Sequence, residues 1–210
     1  MGSGSNAAQR IRYTLWAPVY DIISRVFRRR RRRCLKVADL AAGERVLIVG
    51  AGTGLDLDFI RPGPVLTAID LTPAMLERLR RRAARLGLEV DARVMDATAL
   101  EFPDASFDVA LLHLIVTLVP DPNRCMREVA RILRPGGRAV IFDKFCPDEG
   151  PPPLAVRIVA PVGRALFGTR MTLRLGPLLE QAGMEAVHDE PAGMHGLLKI
   201  VLVRKKGAGR

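Results

Sequence analysis

The sequence predicts an α/β fold: a doubly wound sheet of seven strands, mostly parallel with the last strand antiparallel, preceded by an N-terminal amphipathic helix. Three observations carry this reading. A strand-like run, RVLIVG, ends in a glycine-rich turn, and the next such run ends in a carboxylate, Asp70. Strand-like and helix-like patterns then alternate through the middle of the chain, the order that builds parallel sheets. Two final strand-like runs lie too close together for a helical crossover, so they pair antiparallel.

Taken in order, RVLIVG from Arg45 and VLTAID (Val65–Asp70) frame a βαβ unit whose helix opens after the glycines. Thr72 and Pro73 supply a cap and a proline at the first helical position, and AMLERLRRRAARL runs to Gly87, a stop residue. Strands follow at Glu89–Val94, Phe107–His113 and Gly137–Asp143, with a helix over Pro122–Leu133. A short helix, Pro177–Ala182, closes at Gly183 and leads into MEAVHD and LLKIVLVRK. Two segments are expected to stand apart from this core, which spans 45–210. In residues 10–44, Ile22, Ile23, Val26 and Phe27 recur at helical spacing just ahead of six arginines, the pattern of a basic amphipathic helix. In the insertion 147–176, Leu154, Ile158, Val159 and Val162 fall on one helical face opposite Arg157 and Arg164, with a kink expected at Pro161. Residues 1–9 read as a tag-like, disordered start.

A chain of 210 residues, 49% apolar, is long enough for one sizeable core and short for two. No stretch approaches the roughly 18–20 consecutive apolar residues that span a bilayer, which excludes an integral membrane protein. The net charge of +11 is local: residues 10–36 hold ten Lys/Arg against one acid. Cys34, Cys125 and Cys146 are odd in number, far apart and never in C-x-x-C spacing, so neither disulfides nor a metal site is expected. The N-terminus lacks the apolar core of a secretory signal. A cytoplasmic protein with reduced thiols is the expectation.

The strongest chemical signal is Gly50-Ala51-Gly52-Thr53-Gly54 at a strand end, with Asp70 sixteen residues after the last glycine. Glycines allow close backbone approach and positive φ, and a carboxylate at the next strand tip can accept both hydroxyls of a ribose. The spacing G-x-G-x-G departs from the pyrophosphate-cradling G-x-G-x-x-G, so a nucleoside without pyrophosphate fits better. With these pieces, the Asp-Ala of MDATAL, FDVALLH and RILRPGGRAVIFD, the chain resembles the class I S-adenosylmethionine-dependent methyltransferases over roughly Arg45 to Val203. The resemblance implies a Rossmann-like fold and S-adenosyl-L-methionine as cofactor, leaving as S-adenosyl-L-homocysteine, with no metal. It implies that Gly50, Ala51, Gly52 and Gly54 line the methionine and ribose, that Asp70 holds the ribose hydroxyls, and that Leu71, Asp96 and Ala97 meet the adenine. Leu112 and His113 are expected beside the methionine end. The acid that this family commonly carries just before the first glycine is replaced by Ile48 and Val49.

Methyl transfer from a sulfonium is an in-line displacement, so alignment and exclusion of water carry most of the catalysis. An amine acceptor is protonated near neutral pH and must lose a proton first, for which a base helps. His113, at a strand tip where open α/β sheets bind ligands, is the best candidate, with Tyr13 or Tyr20 as a phenolic partner. The bland alternative is a histidine that caps or packs. Tyr13, Trp16 and Tyr20 share a helical face that can close over the cofactor, where Tyr20 would touch it, or anchor at a membrane interface. The run Arg28, Arg29, Arg30, Arg31, Arg32 and Arg33 reads as a membrane-surface element, a solvated face or a nucleic-acid patch. It lacks interleaved stacking aromatics, which disfavours nucleic acid. Anionic lipid would contribute on the order of 1 kcal/mol per nearby basic group. The patterns Y-x-x-W-A-P-x-Y-D (Tyr13 to Asp21) and FDKF-x-P (Phe142 to Pro147) resemble the bacterial phospholipid N-methyltransferases. That resemblance implies methylation of phosphatidylethanolamine, toward phosphatidylcholine, by a monomer at the inner face of the membrane, with Trp16, the six arginines, Arg157 and Arg164 toward lipid. The alternatives are C-methylation of a ubiquinone or menaquinone precursor and methylation of a soluble small molecule.

Overall fold

The structure is a computed structural model that describes residues 25–206 apart from 168, with the backbone alone at 25, 155, 162 and 164–167. Tyr13, Trp16, Tyr20, Ile22 and Ile23 lie outside the described residues, as does the side chain of Arg164.

Seven strands form one sheet: β1 (Arg45–Val49), β2 (Val65–Asp70), β3 (Val90–Val94), β4 (Phe107–His113), β5 (Leu133–Lys144), β6 (Met184–Gly193) and β7 (Leu198–Lys205). Their order is β3-β2-β1-β4-β5-β7-β6. The pairs among β1 to β5 are parallel, and β7 runs antiparallel to both of its neighbours. After β1 the chain winds outward to β3, then returns to place β4 on the other side of β1. The crevice between the ends of β1 and β4 is therefore the topological switch point, where such sheets bind ligands.

Helices α1 (Arg28–Ala38), α2 (Pro73–Leu86), α3 (Pro122–Ile132), α4 (Leu154–Phe167) and α5 (Leu175–Gln181) complete the fold. Alternation along the strands divides the core. Leu47, Val49, Ala110, Leu112 and Ile141 face α3 and α5, whereas Val46, Ile48, Leu111 and Phe142 face α1 and α2. The helix ends follow local chemistry. Gly87 ends α2 in a left-handed conformation that lets Leu88 N–H reach Ala83 C=O at 3.0 Å. Asp121 caps α3 by accepting from Arg124 N–H at 2.9 Å, with Pro122 at the first helical position.

Three expectations need correction. The helix expected after the glycines is only a single turn, Leu57–Phe59. Pro62-Gly63-Pro64 leaves just seven residues, Leu55 to Arg61, which is too short for a stable helix. The segment with the arginine run does not stand apart, because Cys34, Leu35 and Ala38 of α1 are buried in the core against the sheet. Thr72 sits at the cap position of α2 without capping it; its N–H and hydroxyl go to Asp70. In the insertion, α4 carries Pro161 inside it and exposes Leu154, Ile158 and Val159. The chain returns from α4 through Thr169, whose hydroxyl lies 3.1 Å from that of Thr117, and Thr117 is bonded to the buried Asp143.

The end of α1 is tied to β5 by Arg138. Its guanidinium donates to Ala38 C=O and Asp39 C=O, both at 2.7 Å, and to both carboxylate oxygens of Glu44 at 2.7 and 2.9 Å. The hydrogen bond from Arg138 holds Glu44 below its ordinary 4.5. That contribution is full above the ordinary value and fades as pH falls through the lower folded one. Arg138→Met should therefore cost about 1–3 kcal/mol in denaturant unfolding at neutral pH. The gap from wild type should narrow on acidification; a gap independent of pH would contradict the assignment.

Candidate active site

The loop after β1 folds back on itself. Ala51 N–H donates to Ile69 C=O at 2.9 Å, and Gly54 N–H to Ala51 C=O at 3.0 Å. Gly50 has φ +63, and a side chain there would meet Ile115 at 2.6 Å. Only glycine allows the two loops of the switch point to come this close. Beside it, Asp70 accepts from Gly52 N–H at 2.9 Å through Oδ2 and from Thr72 N–H at 2.8 Å through Oδ1. The Thr72 hydroxyl donates to the same carboxylate, which leaves one acceptor position of about four for a ligand hydroxyl. Burial raises the Asp70 pKa despite these bonds. A carboxylate held at such a cost in a cavity wall marks a ligand site.

The cavity is lined by Gly50, Gly52, Asp70, Leu71, Asp96 and Ala97, closed by Met75, Met95, Leu114 and Ile115. Asp96 Oδ1 accepts from the N–H and the hydroxyl of Thr98, both at 2.8 Å. The glycine cradle, the buried Asp70 carboxylate and the apolar Leu71, Leu114 and Ile115 in the same cavity wall suit a ribose next to a flat base. The chemistry of these residues fits S-adenosylmethionine, with a carboxylate and glycine backbone on one side of the cavity and apolar side chains on the other. Ile48 and Val49 are core residues, 2% and 1% exposed. Ala51 and Gly54 hold the loop's shape.

At the tip of β4 the structure departs from expectation. Leu112 is fully buried in the α3 side of the core and does not line the cavity; Leu114 and Ile115 do. Leu114 takes φ 61, a rare conformation for a non-glycine residue that brings Ile115 over Gly50. His113 is only 4% exposed and lies with Leu111 and Phe142 on the opposite face, its ring edge-on to Phe142 at 6.1 Å. Its Nδ1 is 2.8 Å from Asp56 Oδ1, and its Nε2 is buried with no partner among the described residues.

Asp56 went unrecognised in the sequence. It accepts from Arg31 through both oxygens, each at 2.8 Å. Burial opposes its charge, but the Arg31 guanidinium and then His113 outweigh that, holding the carboxyl well below the usual range. Arg31 therefore points inward, 4% exposed, and is withdrawn from the lipid-facing set. The rest of the run divides. Arg30 donates to Ala192 C=O and Arg33 pairs with Glu190 at 2.6 Å. Arg28, lying over Phe59, joins Arg29 and Arg32 at the surface, and Arg157 is exposed on α4. In the sequence Asp56 stands between Leu55 and Leu57 with Asp58 two residues on, and nothing local distinguishes the two acids.

Comparison with known proteins places this geometry. A family model described as a methyltransferase domain matches residues 47–141. The chain is 34% identical over 197 residues to the phosphatidylethanolamine N-methyltransferase of Cereibacter sphaeroides, covering 92% of this chain and 96% of that one. It is 35% identical over 150 residues to the demethylmenaquinone methyltransferase of Thermus thermophilus, covering 68% of each. A solved SAM dependent methyltransferase from Aquifex aeolicus shares the fold, with a TM-score of 0.59 at 22% identity over 82% of this chain and 87% of that one.

Asp70→Ala should weaken S-adenosylmethionine binding by about 1–3 kcal/mol in calorimetry, through loss of charge-assisted hydrogen bonds. Because burial raises the Asp70 pKa, affinity should begin to fall on acidification above the ordinary 3.8. Asp70→Asn should lose this pH dependence; retention of the wild-type profile would remove Asp70 from the ribose site.

Proposed function

The chain belongs to the S-adenosylmethionine-dependent methyltransferases, and on that premise we propose that it methylates the amine of phosphatidylethanolamine, successively toward phosphatidylcholine, at the cytoplasmic surface of a membrane. The observation that carries this reading is the reach of the Cereibacter similarity. It takes in nearly the whole chain, so it includes segments outside the common methyltransferase core. Arg28, Arg29 and Arg32 on α1, and Leu154, Ile158 and Val159 beside Arg157 on α4, offer the mixture of cationic and apolar side chains that an anionic lipid surface attracts. No helix among the described residues is long and apolar enough to cross a membrane.

Bound S-adenosylmethionine supplies an electrophilic methyl group, which the amine lone pair takes as the carbon–sulfur bond breaks and S-adenosylhomocysteine forms. The protein's work is placement and proton removal. Asp70 and the glycine loop would hold the cofactor's ribose, and Leu114 and Ile115, in the same cavity wall, would help exclude water. His113, which lies across the strand end from the cavity, is assigned the ammonium proton that would otherwise block attack, a role that requires its buried Nε2 to be uncovered toward the acceptor. Tyr13, Trp16 and Tyr20, which lie outside the described residues, are proposed to meet the reacting cation, and Tyr20 to contact the cofactor.

A second reading, C-methylation of a quinone precursor, is favoured by the similarity to demethylmenaquinone methyltransferase. The two separate by acceptor. Incubation with methyl-labelled cofactor and vesicles containing phosphatidylethanolamine should place label in mono-, di- and trimethylated phospholipid on thin-layer plates. Turnover of a demethylated quinone alone would overturn the proposal. Arg28, Arg29 and Arg32 together changed to glutamine should weaken binding to anionic vesicles about 100-fold, at roughly 1 kcal/mol each, with cofactor affinity unchanged. Undiminished vesicle binding would move the lipid contact away from α1.

A further inference from the structure

Arg31, Asp56 and His113 come from α1, the turn after the glycine loop and the tip of β4, yet they meet at hydrogen-bonding distance. All three are nearly inaccessible to water, at 4%, 2% and 4% exposure. Apolar residues of similar volume commonly stabilise a fold as well as a buried ion pair does, so stability alone gives little reason to retain this group. The arrangement does fix the chemistry of the ring. A carboxylate acceptor at Nδ1 selects the tautomer with the proton there and leaves the Nε2 lone pair available.

The geometry points to Asp56 and Arg31 as positioning residues for His113: Asp56 sets the ring's orientation and tautomer, and Arg31 holds Asp56 through both carboxylate oxygens and offsets its charge. This inference rests on the reading of His113 as the proton acceptor. Asp56 alone would favour the imidazolium, which has no lone pair to offer. With Arg31 bound through both carboxylate oxygens, the pair is neutral overall. Nε2, buried and without a partner among the described residues, then lacks only an N–H donor. An acceptor ammonium provides one: its proton passes to Nε2, its lone pair becomes free to form the new bond to carbon, and the imidazolium returns the proton to water after product leaves.

The other charged or titratable groups packed nearby are spoken for. Cys34 on α1 is kept as a neutral thiol, chiefly by burial and then by the charge of Asp56. Asp58 is shared by Arg28 at 3.7 Å and Arg82 at 3.6 Å. Glu190 on β6 pairs with Arg33 at 2.6 Å and lies 3.2 Å from His188.

The two positioning residues make opposite demands on pH, which a purely structural role would not. In the full chain, with calorimetric cofactor binding as the check on folding, Asp56→Asn should lower kcat about 10- to 100-fold with KM little changed. It should move the acidic limb of the kcat profile to lower pH, because the charge that stabilises the imidazolium is gone. Arg31→Met leaves Asp56 uncompensated and should move that limb to higher pH. Ring nitrogen-15 shifts of His113, assigned by their loss in His113→Gln, should show the proton on Nδ1 in wild type and a mixture of tautomers in Asp56→Asn. Limbs that shift in the same direction or not at all, or a wild-type ring protonated on Nε2, would overturn the inference. If either single variant fails to fold, Arg31→Met/Asp56→Asn, which removes both charges, decides: retention of the Nδ1 tautomer there contradicts the role of Asp56. The ring spectra need no acceptor, so failure to methylate phosphatidylethanolamine would sink the proposed substrate and leave the positioning inference tested on its own.

Discussion

A single carboxylate with almost no access to water, Asp56, constrains how this chain closes. A buried charge must be compensated, and the compensation comes from Arg31 across 25 positions of sequence. That requirement turns one residue of a six-arginine run inward. It orients α1 with Cys34, Leu35 and Ala38 against the sheet, and by the helical period it leaves Arg28, Arg29 and Arg32 on the outside. The division of the arginine run into an inward member and outward ones thus follows from one ion pair in the core.

The same constraint organises the switch point. Adjacent residues at the tip of β4 serve the two sides of the sheet. His113 points toward α1 and Asp56, and one residue later Leu114 turns through a left-handed conformation to carry Ile115 over Gly50. The cofactor cavity and the histidine therefore lie on opposite faces of the strand and share its end. A short turn at Leu57–Phe59, in place of a helix, keeps Asp56 next to the glycine loop and close to both.

What the sequence revealed was what local periodicity and short motifs encode. The seven strands, the antiparallel final strand and the stop at Gly87 have signals within a few residues of each other, and the glycine loop and Asp70 stand at the ends of successive strands, sixteen residues apart. Long-range charge pairing has none. Six consecutive arginines look alike until the position of Asp56 selects one, so Arg31 was read with its neighbours. Leu112 was expected beside the ligand because it stands at the strand tip, whereas strand alternation sends it into the α3 side and the work passes to Leu114 and Ile115. The missing helix after the glycines was legible in Pro62-Gly63-Pro64, but the βαβ expectation overrode it.

The proposed reaction is transfer of a methyl group to nitrogen on a lipid surface. The most direct measurement supplies carbon-13 methyl-labelled S-adenosylmethionine to the protein on vesicles containing both phosphatidylethanolamine and a demethylated quinone, then records the carbon spectrum of the extracted lipids. The account predicts that the new signals are N-methyl resonances of the phospholipid headgroup. A ring C-methyl resonance of the quinone, with the headgroup unlabelled, would contradict it.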